Sequence, residues 1–89
     1  MIASRQLLRQ ITKVINLLNN MDNTSSTIKL LLKKYLMIEQ KLKSNNINKN
    51  DSLIGSTRAY LDSFSDYNNP ILVEMDKAEK LLESFKDSI

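Results

Sequence analysis

The chain has 89 residues and a formal net charge of +3, with one Gly, one Pro, and neither Cys nor His. A chain of this length forms at most one domain. The lack of Cys excludes disulfides and thiolate chemistry, and the lack of His removes the commonest general base and metal ligand. One Gly and one Pro leave too few turn residues for β-hairpins, so the composition indicates an all-α fold. We expect neither an enzyme nor a bound cofactor or metal.

The first predicted helix covers about residues 2–20. Its apolar residues recur at spacings of 4, 3, 4 and 3, which is typical of a helix with one buried stripe: Leu7, Ile11, Val14, Leu18 and Met21. Residues 22–27 are all polar, and most of them favour caps or turns, so the helix is expected to end before them. A second helix is predicted to begin near Ser25.

The same N-terminal helix carries a basic ridge. Arg5, Arg9 and Lys13 are four residues apart and therefore share one face, and no acid precedes Asp22. Such a profile is found in mitochondrial import signals and in helices that lie on membrane surfaces. An ordinary amphipathic helix of a bundle has it as well, and this is the interpretation that we prefer.

Three further helices are predicted at about residues 25–43, 52–67 and 70–88, with the main loop at 44–51. The residues expected on their buried faces are Ile28, Leu31, Tyr35, Ile38 and Leu42, then Leu53, Thr57, Tyr60, Phe64 and Tyr67, then Ile71, Met75, Ala78, Leu82, Phe85 and Ile89. Asp51 or Ser52 is the expected cap of the third helix. Asn69 and Pro70 are expected to start the fourth.

A second apolar stripe bears on the architecture, and its members are Leu8, Ile15, Leu17, Leu30, Leu36, Leu72 and Leu81. A two-helix hairpin buries one stripe in each arm and would leave this one in water. The sequence therefore predicts either a small three- to four-helix bundle or a kinked hairpin, with arms roughly 60 Å long, that packs on a partner. We prefer the bundle.

Charge divides the chain into a basic and an acidic half. Residues 1–50 carry a net +7 and residues 51–89 a net −4. This pattern suits a chain that folds back on itself, and it equally suits halves that meet different partners.

Two charged groups suggest specific chemistry. The pairs Asp62/Asp66 and Glu79/Glu83 are four residues apart, but without His they cannot complete the usual metal motif of bundles, and we interpret them as solvated faces. The lysines of the second helix could bind phosphate groups. Because few of the basic residues are Arg and the C-terminal half is acidic, we regard nucleic acid as an unlikely partner.

Residues 3–9, ASRQLLR, resemble the opening L-Y-R-x-L-L-R of the LYR-motif proteins, and residues 58–68 resemble the R-x-Y-x-x-L-x-x-x-Y-N ending of some members. Ser4 stands in place of the family's Tyr and Ala3 in place of its Leu. Members are small three-helix proteins of the mitochondrial matrix that help to assemble respiratory complexes or iron–sulfur enzymes. The resemblance implies that Arg5, Arg9 and Lys13 face an acidic acyl carrier protein, whose acyl chain would lie beside Leu7, Leu8 and Ile11.

The sequence as a whole predicts a non-enzymatic module that binds other helical proteins, as a homo- or hetero-oligomer, in a larger complex. The predicted partner contacts are Arg5, Leu8, Arg9, Lys13, Leu30, Leu36 and Leu81. No apolar run is long enough to cross a bilayer. We expect an intracellular protein in a reducing compartment, the cytoplasm first and the mitochondrial matrix as the alternative. A mitochondrial assembly factor and a basic binder of nucleic acid or membrane surfaces are the alternative functions.

Overall fold

The computed structural model describes residues 2–21, 24–64 and 67–87, which form four α-helices and no strand. The helices are α1 (Ile2–Asn19), α2 (Ser26–Lys43), α3 (Ser56–Phe64) and α4 (Ile71–Lys86). The principal extents are 35 × 20 × 20 Å. Arms of roughly 60 Å do not fit into these dimensions. The all-α prediction and the preferred bundle are thus confirmed.

Each helix packs on two neighbours. α1 contacts α2 and α4, and α3 contacts the same two helices, so that α1 and α3 lie diagonally across the bundle. Thr27 of α2 lies against Ser63 of α3, and Tyr35 against Ser56, so these two helices run antiparallel. The short connection between α1 and α2 implies the same relation there.

The predicted apolar stripes of α1, α2 and α4 form the core. Fully or almost fully buried side chains are Leu7, Ile11, Val14, Leu18, Ile28, Leu31, Tyr35, Ile38, Ile71, Met75, Ala78 and Leu82. Burial of each large aliphatic side chain contributes about 1.5–3 kcal/mol before entropy costs. Leu53 is also fully buried, although it precedes α3.

Most of the second stripe is covered as well. Ile15 belongs to the core, and Leu17, Leu72 and Leu81 are partly buried against it. Leu8 is half-buried, whereas Leu30 and Leu36 are exposed. A helix that packs on two neighbours buries a wider face than a helix in a hairpin, because its flanks are covered as well as its centre. The bundle thereby covers most of the second apolar stripe, which a two-helix hairpin would leave in water.

Local signals set the ends of α2 and the start of α4. The Ser25 hydroxyl accepts a hydrogen bond from the backbone N–H of Ile28, at 3.3 Å. At the other end of α2, Asn45 adopts φ 56° and the N–H of Asn46 donates to the carbonyl of Lys41 at 2.8 Å, which is a Schellman motif. The helix α4 begins at Ile71, one residue after the predicted Pro70, which is its N-cap; the Asn69 side chain accepts from the N–H of Ile71 at 2.9 Å.

The third helix begins later than predicted. It starts at Ser56 instead of residue 52, because Gly55 has φ +94° and such a residue cannot belong to a right-handed helix. The Ser52 hydroxyl accepts from the N–H of Ile54 in a local turn and does not cap the helix. Tyr67 lies beyond the helix and is 71% exposed, which corrects its predicted place on the apolar face. The predicted helical residues 65, 66 and 88, and Ile89 of the fourth buried face, lie outside the described ranges.

Candidate partner-binding surface

Four of the predicted contact residues come together on the outer face of α1. Arg5, Leu8, Arg9 and Lys13 line one shallow depression, together with Gln10, Thr12 and Asn16. All of these residues belong to α1. The depression is therefore a strip along the outside of one helix, walled by long side chains, and it suits contact with a surface better than enclosure of a small molecule.

The cations of this strip differ in their surroundings. The Lys13 ammonium lies 3.4 Å from a Glu74 carboxylate oxygen, and the Gln10 amide donates to the same oxygen at 2.9 Å. The hydrogen bond from Gln10 and the nearby Lys13 hold the pKa of Glu74 below its usual value. Lys13 thus joins α1 to α4. Arg5 and Arg9 are exposed and have no ion pair with any residue of the described ranges.

The outer face of α2 alternates between apolar and basic side chains. Leu30, Leu36 and Met37 are 68%, 40% and 50% exposed. Around them lie Lys29, Lys33 and Lys34, for which the described part of the chain offers no carboxylate within ion-pair distance. The remaining lysines of the helix are paired, Lys41 with Asp51 at 2.7 Å and Lys43 with Glu39 at 3.9 Å. Met37 did not stand out in the sequence, since its exposure follows from the packing of α2.

The two exposed leucines of α2 point to different neighbours. The Thr12 hydroxyl donates to Glu39 at 3.1 Å and marks the α1 side of α2, whereas Thr27 marks the α3 side. With about 100° of rotation per residue, Leu36 lies towards α1 and Leu30 about 120° away, towards α3. Leu30 borders another groove, of about 420 Å³, between α2 and α3. Leu36, in contrast, extends the surface of α1.

Leu81 lies apart from the other predicted contacts. It belongs to α4, diagonally opposite α2, and its side chain is partly buried against the core. Leu81 was predicted as a partner contact, and this position gives it a share in the core as well. A side chain that packs on the core supports the fold first.

The carboxylate pairs need a further correction, because Glu79 is not a solvated face residue. Its carboxylate accepts from the N–H groups of Gly55 and Thr57, at 3.3 and 3.0 Å, and from the hydroxyl groups of Ser56 and Thr57. It therefore caps α3 from the neighbouring helix α4, which lies far along the sequence. Glu83 pairs with Lys86 at 2.8 Å. Asp66 lies outside the described ranges, within which no three carboxylates come together as a metal site.

Comparison with known proteins places these features in a family. A family model described as "YeeD uncharacterised protein" matches residues 2–88. The chain belongs to the YeeD family. The match includes all of α1 to α4, so the assignment rests on nearly the whole chain and not on one motif.

A curated relative supports the same assignment. The chain is 32% identical to "Uncharacterized protein YeeD" of Bacillus subtilis (strain 168), in an alignment that covers 99% of this chain and 97% of that protein. No solved structure matches the chain. None of the YeeD-type helices in the described ranges combines the length and apolar character needed to cross a membrane.

The resemblance to the LYR-motif proteins stays a prediction beside this family. Arg5, Arg9 and Lys13 do share one outer face, as the resemblance implies. Leu7 and Ile11, beside which an acyl chain would lie, are fully buried among the helices. An acyl chain would therefore have to separate packed core side chains in order to enter.

Proposed function

We propose that this chain is a non-enzymatic binding module, a small subunit or assembly adaptor, that packs the side formed by α1 and α2 against another helical protein. We call this side the α1–α2 face, made up of the outward residues Arg5, Leu8, Arg9, Lys29, Lys33, Leu36 and Met37. The observation that supports the proposal is that this one side combines exposed apolar side chains with cations that make no ion pair within the described part of the chain.

The two kinds of side chain serve different purposes in binding. Apolar surface removed from water supplies most of the affinity of a protein–protein contact. Exposed charge pairs add little affinity, but they steer the encounter and select the partner. Leu36 and Met37 would give the contact its stability, and Arg5 and Arg9 would fix its orientation.

Charge distinguishes this side from the rest of the bundle. α1 and α2 together carry eight basic residues and one acid, a net of +7, whereas α3 and α4 together carry a net of −1. The division between halves of the sequence is thus a division between sides of the structure, consistent with one side being specialised for a partner.

Affinity capture with matched variants tests the proposal. The tagged chain, Leu36→Asp and the control Val73→Asp are used to recover partners from the cells of origin. Val73 is exposed on the outer side of α4, so its substitution adds the same charge and removes an aliphatic side chain one methylene smaller than that of Leu36. We expect the wild type and Val73→Asp to recover one protein in fixed proportion and Leu36→Asp to lose it, with all three equally helical by circular dichroism.

Two results would contradict the proposal. Equal recovery by Leu36→Asp would show that the α1–α2 face is not used. Recovery of nucleic acid or lipid in place of protein would favour the basic-binder alternative. Recovery of an acyl carrier protein, lost on Arg5→Glu, would instead support an assembly factor of the LYR type.

A further inference from the structure

The order of apolar and basic residues on the α1–α2 face indicates what kind of partner it binds. The inference about that partner rests on the proposed function. We infer that the occupant of this face is an acidic amphipathic helix of a different protein, lying along the groove between α1 and α2, and not a second copy of this chain.

The apolar floor of the groove follows from one hydrogen bond. Thr12 and Glu39 meet at the seam between α1 and α2. Leu8 lies one turn before Thr12, and Leu36 one turn before Glu39, so both side chains flank the same seam. Leu8 is half-buried and Leu36 is 40% exposed. Each leucine therefore offers part of its surface to an apolar stripe laid along the seam.

Cations border this floor at both ends. Arg5 and Arg9 lie seven and three residues before Thr12, towards the start of α1, and Lys29 and Lys33 lie seven and three residues before Leu36, towards the start of α2. Because α1 and α2 run antiparallel, the two pairs lie at opposite ends of the groove, roughly 20 Å apart. The matching ligand is a helix with an apolar middle and acidic residues near each end.

Charge also argues against a second copy. A two-fold dimer through the α1–α2 face would place the four cations of one face against the same four of the other. A head-to-tail contact would place that face against the α3–α4 side, whose helices carry four basic residues beside five acidic ones, so that cations would meet cations as well as acids. Like charges that face each other across an interface are destabilising, and a nearly neutral surface leaves the arginines without partners. An acidic helix of a different protein would supply carboxylates for the cations of the α1–α2 face.

The available area is sufficient for a stable complex. A standard interface takes about 800 Å² from each partner, and one side of a bundle with a total surface of 5814 Å² offers roughly 1,400 Å². α1 and α2 are both 18 residues long, so a docked helix of similar length could contact the full groove.

The test measures binding of the full-length chain to designed peptides by fluorescence anisotropy. One stapled helical peptide of about 18 residues has a leucine stripe with Glu at both ends, and its counterpart has Lys in place of every Glu. We expect the Glu peptide to bind and the Lys peptide not to bind. We also expect at least about a ten-fold loss of affinity between low and high salt, since exposed charges are screened.

Charge-reversed variants locate the site. Arg9→Glu/Lys33→Glu should weaken binding of the Glu peptide by about ten-fold or more, because each end of the groove loses a cation. The control Arg58→Glu/Lys80→Glu changes the net charge by the same amount, but on α3 and α4, and should leave binding unchanged. Equal effects of the two double variants would overturn the assignment to this groove.

Other outcomes would overturn the inference itself. These are equal binding of both peptides, tighter binding of phosphatidylglycerol vesicles or duplex DNA than of the Glu peptide, and a dimer in sedimentation equilibrium that Leu36→Asp abolishes. The proposed function fails independently, by unchanged partner capture with Leu36→Asp. If capture of the partner depends on Leu36 but not on salt concentration, the proposed function stands and the inference of an acidic helix is wrong.

Discussion

The phenol oxygen of Tyr35 and the hydroxyl oxygen of Ser56 lie 2.8 Å apart in the core and join the middle of α2 to the first residue of α3. Ser56 donates its single hydroxyl hydrogen to Glu79 at 3.1 Å, so Tyr35 is the donor in the buried pair. Burial raises the pKa of Tyr35, which keeps the phenol protonated at neutral pH. A chain of hydrogen bonds thus connects three helices.

This direction of donation predicts unequal effects of two substitutions. Ser56→Ala leaves a buried phenol without an acceptor and should lower the free energy of unfolding by about 1–3 kcal/mol. Tyr35→Phe removes the donor together with its need for a partner and should cost only about 0.5–1.5 kcal/mol. Urea unfolding followed by circular dichroism measures both. A larger loss for Tyr35→Phe would mean that the phenol had other support in the core.

Glu79 gives a second prediction, because one carboxylate caps a helix of only nine residues. Glu79→Ala leaves the N–H groups of Gly55 and Thr57 without acceptors and should cost about 2 kcal/mol, which lowers the melting temperature by roughly 10 °C. Asp76→Ala is the control, since Asp76 makes only an exposed pair with Lys80 at 3.0 Å, worth about 0.3–0.5 kcal/mol. Similar losses in both variants would refute the capping role.

The sequence was sufficient to predict α1, α2 and α4 to within one or two residues. Their apolar spacing follows the helical period, and Ser25 and Asn69 mark starts through local hydrogen bonds that depend on nearby residues alone. The core stripes were predictable for the same reason, because periodicity states which residues share a face.

Features that depend on distant contacts could not be predicted. The start of α3 depends on the conformation of Gly55 and on Glu79, which reaches it from another helix. The different environments of Leu36 and Leu81 depend on which helix flank is covered by a neighbour. Periodicity places a residue on a face but does not say which faces meet.

Gly55 allows a test of backbone strain without steric contact. Its φ is +94°, and a Cβ atom at this position would meet nothing within 4 Å. Gly55→Ala should therefore cost about 1–2 kcal/mol from conformation alone. Asn45→Gly is the comparison, because Asn45 already tolerates φ 56° at the helix terminus, and it should change stability by less than about 0.5 kcal/mol. An unchanged melting temperature for Gly55→Ala would show that the turn adopts another conformation.

Acidification should destabilise the bundle through Asp51 and Glu74. Burial raises the pKa of Asp51, but the Lys41 ammonium and the Asn48 N–H outweigh it and the pKa is lowered, as the pKa of Glu74 is by Gln10 and Lys13. A carboxylate with a lowered pKa in the folded state stabilises fully above its unfolded value, near pH 4, and less as the pH falls through the folded value.

The free energy of unfolding should accordingly fall between about pH 5 and pH 2, and the double variant Asp51→Asn/Glu74→Gln should show a smaller fall. Urea unfolding across this range measures the slope. Asp76→Asn is the control and should retain the slope of the wild type, since Asp76 makes its ion pair in an exposed position. An equal change of slope in both variants would exclude a specific contribution from Asp51 and Glu74.

Leu81 and Leu30 allow a comparison of a leucine that stabilises the fold with a leucine that is exposed on the surface. Leu81 is partly buried against the core, whereas Leu30 is 68% exposed at the edge of α2. Leu81→Asn should lower the free energy of unfolding by about 2 kcal/mol, because it removes packed aliphatic atoms and places an amide beside the core. Leu30→Asn should change it by less than about 0.5 kcal/mol, as is usual for exposed positions. If both substitutions change the free energy of unfolding by equally small amounts, Leu81 does not stabilise the core and is available for binding. Only a side chain that does not pack on the core can be made polar without loss of stability.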